Sequence, residues 1–215
     1  MKSNKKIDKK IFWDKETYRY NKFHERAIFI SKLIKKSFSC EIIKILDLGC
    51  SGGKTRKLLT NNFSYFGVDI VATEASKSFP FAIWDIDNDD PSHLIKKFKT
   101  HFNCLLLAGL LEHVEDTRVS IKKISFLLEK NLNSKVFISY SNKDFLPYKI
   151  GISRKEDKVW ISKLKSLKEI TKEFKNFDFN INESYFGFLG LIFIRDSIWI
   201  KPFNIVLLYL RLSVL

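Results

Sequence analysis

Short apolar runs alternate with amphipathic stretches along this chain, and the alternation predicts its secondary structure. Six apolar runs have the length of β-strands: residues 42–48, 65–70, 80–86, 102–108, 135–140 and 177–181. The fourth run is almost entirely apolar, which is typical of a central strand that is covered on both faces. Strands that alternate with helices in this way predict an α/β fold with a doubly wound, mostly parallel sheet.

Helical spacing is found between these runs. Apolar residues three or four positions apart, with Lys and Arg between them, predict a helical cap over residues 12–38. Further helices are expected from residue 54 to about residue 61, from near Pro91, over residues 117–128 and over residues 161–174. In the helix of residues 117–128, the side chains predicted to face inward are Val119, Ile121, Ile124 and Leu128.

The C-terminal segment, residues 185–215, is rich in Phe, Ile, Leu and Trp, but charged residues and Pro202 interrupt it. No uninterrupted run approaches the ~20 apolar residues that a membrane-spanning helix requires. The segment is therefore expected to supply a last antiparallel strand, a cap helix, or an interfacial helix. In the last case Trp199, Lys201 and Arg211 would lie at the water boundary.

Composition and cysteine content narrow the class of protein. Of the 215 residues, 45% are hydrophobic and 14% aromatic, which excludes general disorder. The three scattered cysteines, Cys40, Cys50 and Cys104, form neither a disulfide framework nor a zinc cluster, and this suits a reducing cytoplasm. The basic N-terminus lacks the apolar core of a secretory signal.

The formal net charge is +14, and positive charge is concentrated before Lys36 and again between residues 143 and 175. Such an excess favours anionic partners, namely nucleic acid, an anionic membrane surface or a phosphorylated substrate. A lysine-rich surface that contacts only solvent is the alternative. We therefore expect a cytoplasmic protein. Its positive charge further predicts that it binds peripherally to the inner membrane surface.

A glycine turn follows the first apolar run. Asp47, Gly49, Ser51 and Gly53 have the spacing D-x-G-x-[GS]-x-G between a buried strand and a helix start. A P-loop is one alternative, but the G-x-x-x-G-K-T of residues 49–55 is one residue too short. A dinucleotide-binding G-x-G-x-x-G is another, but Ser51 stands where its second glycine belongs. A structural turn without a ligand is the third.

The D-x-G-x-[GS]-x-G spacing resembles motif I of the class I methyltransferases that use S-adenosylmethionine (SAM). The segment LLEHVED, residues 110–116, is similar to the fourth-strand exit in the small-molecule branch of that class. This branch includes ubiquinone-pathway enzymes, MetW-like proteins and sugar or natural-product methyltransferases. The resemblance covers roughly residues 40–180, and it implies a Rossmann-like sheet of strand order 3-2-1-4-5-7-6 with SAM as the cofactor.

Three acids follow or end the first three strands, and the resemblance gives each a role. Asp47 precedes the glycine turn, where an acid suits the cationic amino-acid end of SAM. Asp69 lies about twenty residues beyond Gly49, an offset that places a carboxylate on ribose hydroxyls. Asp85 is expected to accept from the adenine amino group, with Ile86 against the ring. The implied cofactor-binding residues are Asp47, Gly49, Cys50, Ser51, Gly52, Gly53, Asp69, Ile70, Asp85, Ile86, Ala108 and Gly109.

A general base for a hydroxyl acceptor is expected just beyond the fourth strand. His113 is the first candidate, because it follows that strand at the carboxyl edge of the sheet, and Glu112 is the second. No metal site is predicted. The acids of residues 85–90 lack the glycine and the terminal glutamate of a calcium loop, and they predict a polar turn before a helix.

The resemblance implies in-line transfer of a methyl group from SAM to a small-molecule acceptor. The basic surface and the hydrophobic tail together favour a sugar or lipid-linked acceptor near a membrane. An RNA methyltransferase is the alternative that the charge favours, and a non-catalytic, methyltransferase-like binding protein is another. The predicted organisation is a basic arm with an N-terminal helix (residues 1–38), a SAM-binding domain (39–184) and the hydrophobic tail (185–215) as part of the same domain.

Overall fold

A computed structural model of the chain describes residues 25–38, 42–59, 61–130, 133–141, 165–186 and 205–212. In chain order the elements are α1 (Glu25–Ser37), β1 (Ile43–Leu48), a first 3₁₀ helix (Lys54–Leu58), β2 (Phe63–Asp69), a second 3₁₀ helix (Glu74–Ser78), β3 (Phe81–Ile83), α2 (Ser92–Phe98), β4 (Cys104–Ala108), α3 (Thr117–Leu127), β5 (Lys135–Ser141), α4 (Leu167–Lys175), β6 (Phe179–Phe186) and β7 (Ile205–Leu212). No helix in these ranges has the length and apolar character that a bilayer crossing requires.

The described strands form one sheet in the order β3-β2-β1-β4-β5-β7-β6, which is the order expected from the sequence. β1 to β5 pair in parallel, and β7 pairs antiparallel with both β5 and β6. β7 comes from the hydrophobic tail, whose residues 187–204 lie outside the described ranges. The strand order reverses between β1 and β4, and open α/β sheets bind ligands at such a point, beyond the carboxyl ends of the strands.

Apolar side chains cover both faces of the parallel strands, which is why these strands read as continuous apolar runs. On one face, Ile30 and Ile34 of α1 pack with Ile45, Leu106 and Phe137 of the central strands. We call this side of the sheet the α1 face. The opposite face carries the larger apolar cluster, into which α3 and α4 bury their apolar sides.

The helix predicted from residue 54 to about residue 61 is wrong, because the first 3₁₀ helix takes its place. Leu59 is already extended, with φ −87° and ψ 158°. The chain then enters β2 at Phe63, which pairs with Ile43 at the start of β1. Because the chain returns to the sheet so soon, only a single helical turn fits between β1 and β2.

β3 is shorter than predicted, since it comprises Phe81–Ile83 rather than residues 80–86. The chain turns at Asp85, whose main-chain oxygen accepts from Asp89 N at 2.8 Å. Asp85 therefore lies in the turn beyond β3 and not at the end of a strand. β6 also differs, because it begins later and runs further than residues 177–181.

The predicted helices near Pro91 and over residues 117–128 are found as α2 and α3, whereas the helix predicted over residues 161–174 begins later, because α4 starts at Leu167 with Ser166 as its N-cap. α1 is the described part of the predicted helix over residues 12–38, and residues 12–24 lie outside the described ranges. α3 buries Ile121 and Ile124 as predicted, but Val119 is 46% exposed, so its inward assignment is wrong. Thr117, two positions earlier, is buried in its place.

Candidate functional site

The glycine turn leaves β1 at the carboxyl edge of the sheet. The amides of Gly49 and Cys50 both donate to the main-chain oxygen of Val68 on β2, at 2.8 and 3.1 Å, so the turn stays attached to the sheet. Gly49 and Gly53 have left-handed backbones, with φ of 75° and 64°. Glycine adopts this conformation without steric cost, which explains its presence at both ends of the turn.

Asp69, the last residue of β2, holds the middle of the turn. Its Oδ2 accepts from Ser51 N at 2.7 Å, and its Oδ1 accepts from Ile70 N at 2.8 Å. Ser51 needs this support, because its φ of 48° is unusual for a residue with a side chain. Burial raises the pKa of Asp69, and the amides of Ser51, Val71 and Ile70 oppose the shift. A carboxylate oxygen has two lone pairs, so Oδ2 can still accept from another donor.

Asp47 lies beneath the turn on β1 and is only 2% exposed. Tyr65 of β2 donates its hydroxyl to Asp47 Oδ2 at 2.6 Å. Burial raises the pKa of Asp47 from 3.8 to about 7, the Tyr65 hydrogen bond lowers it, and the charge of Asp69 raises it. Asp47 is thus near its titration midpoint at neutral pH, and a cation bound at the turn would favour the ionised carboxylate.

Phe79, which follows the second 3₁₀ helix, fills the space above two glycines. A Cβ at Gly53 would lie 2.5 Å from Phe79 Cε1, and a Cβ at Gly67 on β2 would meet the opposite edge of the same ring. The ring packs edge-on against Tyr65, with centroids 5.2 Å apart, and Arg56 lies over it at 5.7 Å. Phe79 therefore joins the glycine turn to β2.

Asp85 and Ile86 lie in the turn after β3. Asp85 Oδ1 accepts from Asp87 N at 2.9 Å, and Oδ2 accepts from Asn88 Nδ2 at 2.8 Å. Ile86 packs in the larger apolar cluster. Within the described ranges no three His, Cys, Asp or Glu side chains converge to hold a metal ion, and these acids order a turn.

Direct hydrogen bonds join the loops after β3 and β4. Asp87 Oδ1 accepts from Glu115 N at 2.8 Å. Lys123 of α3 donates its Nζ to Ile86 O at 2.7 Å and to Asp87 O at 3.2 Å. The predicted adenine-binding turn is therefore fixed to the loop that carries both candidate bases.

The loop after β4 begins at Gly109, which has a φ of 78° and donates its amide to Ser139 O at 3.1 Å. Glu112 is buried, and His113 is half-buried with its amide donated to Leu110 O at 2.9 Å. Both candidate bases thus lie in the ordered turn that follows β4, as predicted. Their roles stay predictions.

A buried polar network that the sequence did not indicate lies next to Glu112. Tyr140 of β5 accepts from Lys165 N at 2.8 Å. Burial raises the pKa of the Tyr140 hydroxyl, the Lys165 amide opposes the shift, and the nearby charge of Glu112 adds to it. Lys165 Nζ also pairs with Glu173 Oε1 at 2.5 Å, so the network connects β5 to α4.

The strand register brings the predicted residues into one row on the α1 face. Asp47 lies on this face. At the carboxyl ends of β1, β2 and β4, the next residues on the same face are Gly49, Asp69 and Ala108, and they stand side by side. Ser139 pairs with Ala108 and extends the row to β5. The carboxylates therefore lie on the β1–β2 side and uncharged residues on the β4–β5 side. A ligand with a cationic end and hydroxyl groups suits the first of these sides.

Sequence reasoning missed Tyr65 and Phe79. Strand periodicity could have indicated Tyr65, because it lies four residues before Asp69 and so on the same face of β2. Phe79 lies between two elements, where no periodicity applies, and only the structure places its ring over the two glycines.

Comparison with known proteins gives a match that covers most of the chain. A family model described as a methyltransferase domain matches residues 12–184. The ubiquinone biosynthesis O-methyltransferase of Pelagibacter ubique (strain HTCC1062) is 34% identical over 118 residues, which are 51% of this chain and 47% of that protein. The match thus spans about half the length of this relative.

Solved structures with the same fold are similar over nearly the whole chain. The N-methyltransferase NodS from Bradyrhizobium japonicum WM9, crystallised with S-adenosylhomocysteine (SAH), has a TM-score of 0.58 at 12% identity over 87% of this chain and 85% of that one. The plantazolicin methyltransferase BpumL, with a desmethylPZN analogue and SAH, has a TM-score of 0.62 at 15% identity over 87% and 82%. The methyltransferase domain of bacterial CtHen1-C has a TM-score of 0.59 at 15% identity over 88% and 97%.

Proposed function

This chain belongs to the methyltransferase domain family of class I, SAM-dependent enzymes, and we propose that it transfers the methyl group of SAM to a small-molecule acceptor. The observation that carries the proposal is the hydrogen bond from Ser51 N to Asp69 Oδ2 at 2.7 Å. It joins the turn assigned to the amino-acid end of SAM to the acid assigned to its ribose. The bond supports the proposal because it fixes the turn and Asp69 relative to one another.

Asp69 has the capacity that the proposed role requires. Its described hydrogen bonds come from backbone amides, and the second lone pair of Oδ2 can accept from a ribose hydroxyl. Asp85 is proposed to accept from the adenine amino group at the neighbouring strand exit.

Charge supports a cationic ligand. Burial raises the pKa values of both Asp47 and Asp69, and the charge of Asp69 raises the pKa of Asp47 further. The sulfonium and ammonium groups of SAM are positive and would offset that cost. The site thus fits the cofactor by its donor set as well as by its place in the fold.

When bound, SAM would supply an electrophilic methyl group to the acceptor's lone pair, and the carbon–sulfur bond would break with its electron pair left on sulfur. The chain's part is to hold the two reactants in line, which can lower the barrier by about 7–11 kcal/mol. For a hydroxyl acceptor a base must also take the proton, and His113 is the first candidate and Glu112 the second. Ala108 and Gly109, at the end of β4, are proposed to line the cofactor's reacting side.

The acceptor class follows from chemistry outside the cofactor site. The relatives named above are a ubiquinone biosynthesis O-methyltransferase, an N-methyltransferase and a plantazolicin methyltransferase. The net charge of +14 and the hydrophobic tail support a lipid-linked or sugar acceptor near an anionic surface. The RNA and non-catalytic alternatives stay predictions, and none of the described contacts favours either.

Calorimetry with SAH tests the cofactor proposal. We expect Asp69→Asn to weaken SAH binding roughly 10- to 100-fold, because a charge-assisted hydrogen bond to the ribose is lost. Asp178→Asn is the matched control, since Asp178 is exposed in the turn after α4 and should leave the affinity unchanged. Unaltered affinity in Asp69→Asn would remove the ribose assignment. If the wild-type protein does not bind SAH, the cofactor proposal itself is wrong.

A further inference from the structure

The register leaves one polar side chain on the β4–β5 side of the row on the α1 face. Ser139 pairs with Ala108. It lies two residues beyond Phe137 on β5 and so on the same face, where the ring of Phe137 belongs to the apolar cluster. Neighbouring strands lie about 4.8 Å apart, so Ser139 stands about 10 Å from Gly49, on the side away from Asp69. Asp47 and Asp69 lie on the other side of the strand-order reversal, and Ala108, which is proposed to line the reacting side of the cofactor, lies between them and Ser139.

Ser139 is fully buried, with 0% exposure. Among the residues that the structure describes, none forms a hydrogen bond with its Oγ. Its main-chain oxygen, by contrast, accepts from Gly109 N at 3.1 Å, so the backbone is fixed against the β4 exit. A buried hydroxyl without a partner is unfavourable, and such groups in native proteins call for an explanation.

We infer that Ser139 Oγ forms a hydrogen bond with a hydroxyl group of the methyl acceptor, an inference that rests on the proposed function. Ser139 lies one strand beyond Ala108, which is proposed to line the reacting side of SAM, and is not among the residues assigned to SAM. Around it the described side chains of this face, Ala108 and Phe137, are apolar. An acceptor bound against Ser139 would therefore be distinguished from one of the same shape without the hydroxyl, because the analogue would leave Ser139 unpaired.

Phenol and toluene are the probes, since they have nearly the same shape and differ by one hydroxyl. Each is titrated by ligand-observed NMR into wild-type protein that has been saturated with SAH. We expect the wild type to bind phenol roughly three- to tenfold more tightly than toluene, and Ser139→Ala to bind the two equally. Equal binding by the wild type, binding of neither probe, or a phenol preference that persists in Ser139→Ala would overturn the inference.

Thermal melting of the ligand-free protein gives a second test that needs no acceptor. Ser120 is the matched control, because it is as buried as Ser139 and its Oγ donates to Asp116 O at 2.9 Å. Ser120→Ala should lower the melting temperature by roughly 2–4 °C, since it removes a satisfied hydrogen bond. Ser139→Ala should melt at the wild-type temperature or above. An equal drop in both variants means that the Ser139 hydroxyl already has a partner within the fold, and this contradicts the inference.

The two proposals fail in distinguishable ways. SAH binding is measured first by calorimetry on the wild type and on Ser139→Ala, and we expect equal affinity. If SAH does not bind the wild type, the proposed function is wrong and the role of Ser139 falls with it. If SAH binds and the two probes bind alike, only the role of Ser139 is wrong.

Discussion

Replacement of Asp47 by asparagine tests the electrostatics beneath the glycine turn. Burial raises the pKa of Asp47 from 3.8 to about 7, although the hydrogen bond from Tyr65 opposes the shift. The folded protein therefore keeps a proton on Asp47 over a pH range in which the unfolded chain has lost it. The stability that this proton contributes is fully present below pH 3.8 and is lost as the pH rises to about 7.

The size of the effect follows from the shift. At about 1.4 kcal/mol per pKa unit, a rise from 3.8 to about 7 corresponds to about 4 kcal/mol in the free energy of unfolding. Asp47→Asn cannot titrate, while all other ionisable groups are retained. The difference in unfolding free energy between variant and wild type should therefore move in favour of the variant by up to about 4 kcal/mol between about pH 4 and pH 8. The new amide adds an offset, but that offset does not depend on pH.

Urea unfolding followed by far-UV circular dichroism, at about one-unit pH intervals across this range, measures the difference directly. Tyr65→Phe is the companion variant. It removes the hydrogen bond that favours the ionised carboxylate, so the pKa of Asp47 should rise further and the loss of stability should extend above pH 7. A difference between Asp47→Asn and wild type that stays constant with pH would refute the reasoning, because Asp47 would then not titrate in this window.

Two further predictions concern the glycine turn and the surface. Gly53→Ala should destabilise the protein by roughly 2–4 kcal/mol, because it adds a Cβ 2.5 Å from Phe79 at a left-handed residue. In the control Gly52→Ala, the new Cβ would lie 3.4 Å from Ala75 and should cost little stability. Denaturant unfolding of the two variants measures the difference. Equal stability of the two variants would dismiss the packing argument. If the positive surface binds anionic lipid, the protein should float with phosphatidylglycerol vesicles at roughly 0.05 M salt and remain unbound at roughly 0.5 M salt. It should not bind neutral phosphatidylcholine vesicles. Equal binding to neutral vesicles would exclude charge as the cause.

The parallel strands and the acids at their ends could be predicted from sequence, because both depend on local pattern. A strand buried on both faces reads as an apolar run, and a carboxylate after it must lie at the carboxyl edge of the sheet. Asp47, Asp69 and the glycine turn were found in this way. The contacts that set their pKa values were not, since Tyr65 is distant in sequence from Asp47 and meets it only through strand pairing.

The errors have physical causes of the same kind. The helix expected after Gly53 fails because β2 begins at Phe63, and the alternation of apolar and basic residues there does not reveal how soon the chain returns to the sheet. Val119 has an apolar side chain, yet the first turn of α3 buries Thr117 instead. Which face of a short helix is buried depends on the elements that it packs against, and a sequence pattern does not identify those elements.

The ring of Phe79 also restricts how this chain can change over generations. Because the ring occupies the space above both Gly53 and Gly67, neither glycine can acquire a side chain while the ring stays in place. A relative with alanine or a larger residue at position 67 must therefore carry a smaller residue than phenylalanine at position 79, and the side chain at position 50 must also move, because Cys50 Sγ would lie 2.8 Å from the new Cβ. Among homologous chains, these positions should exchange volume together.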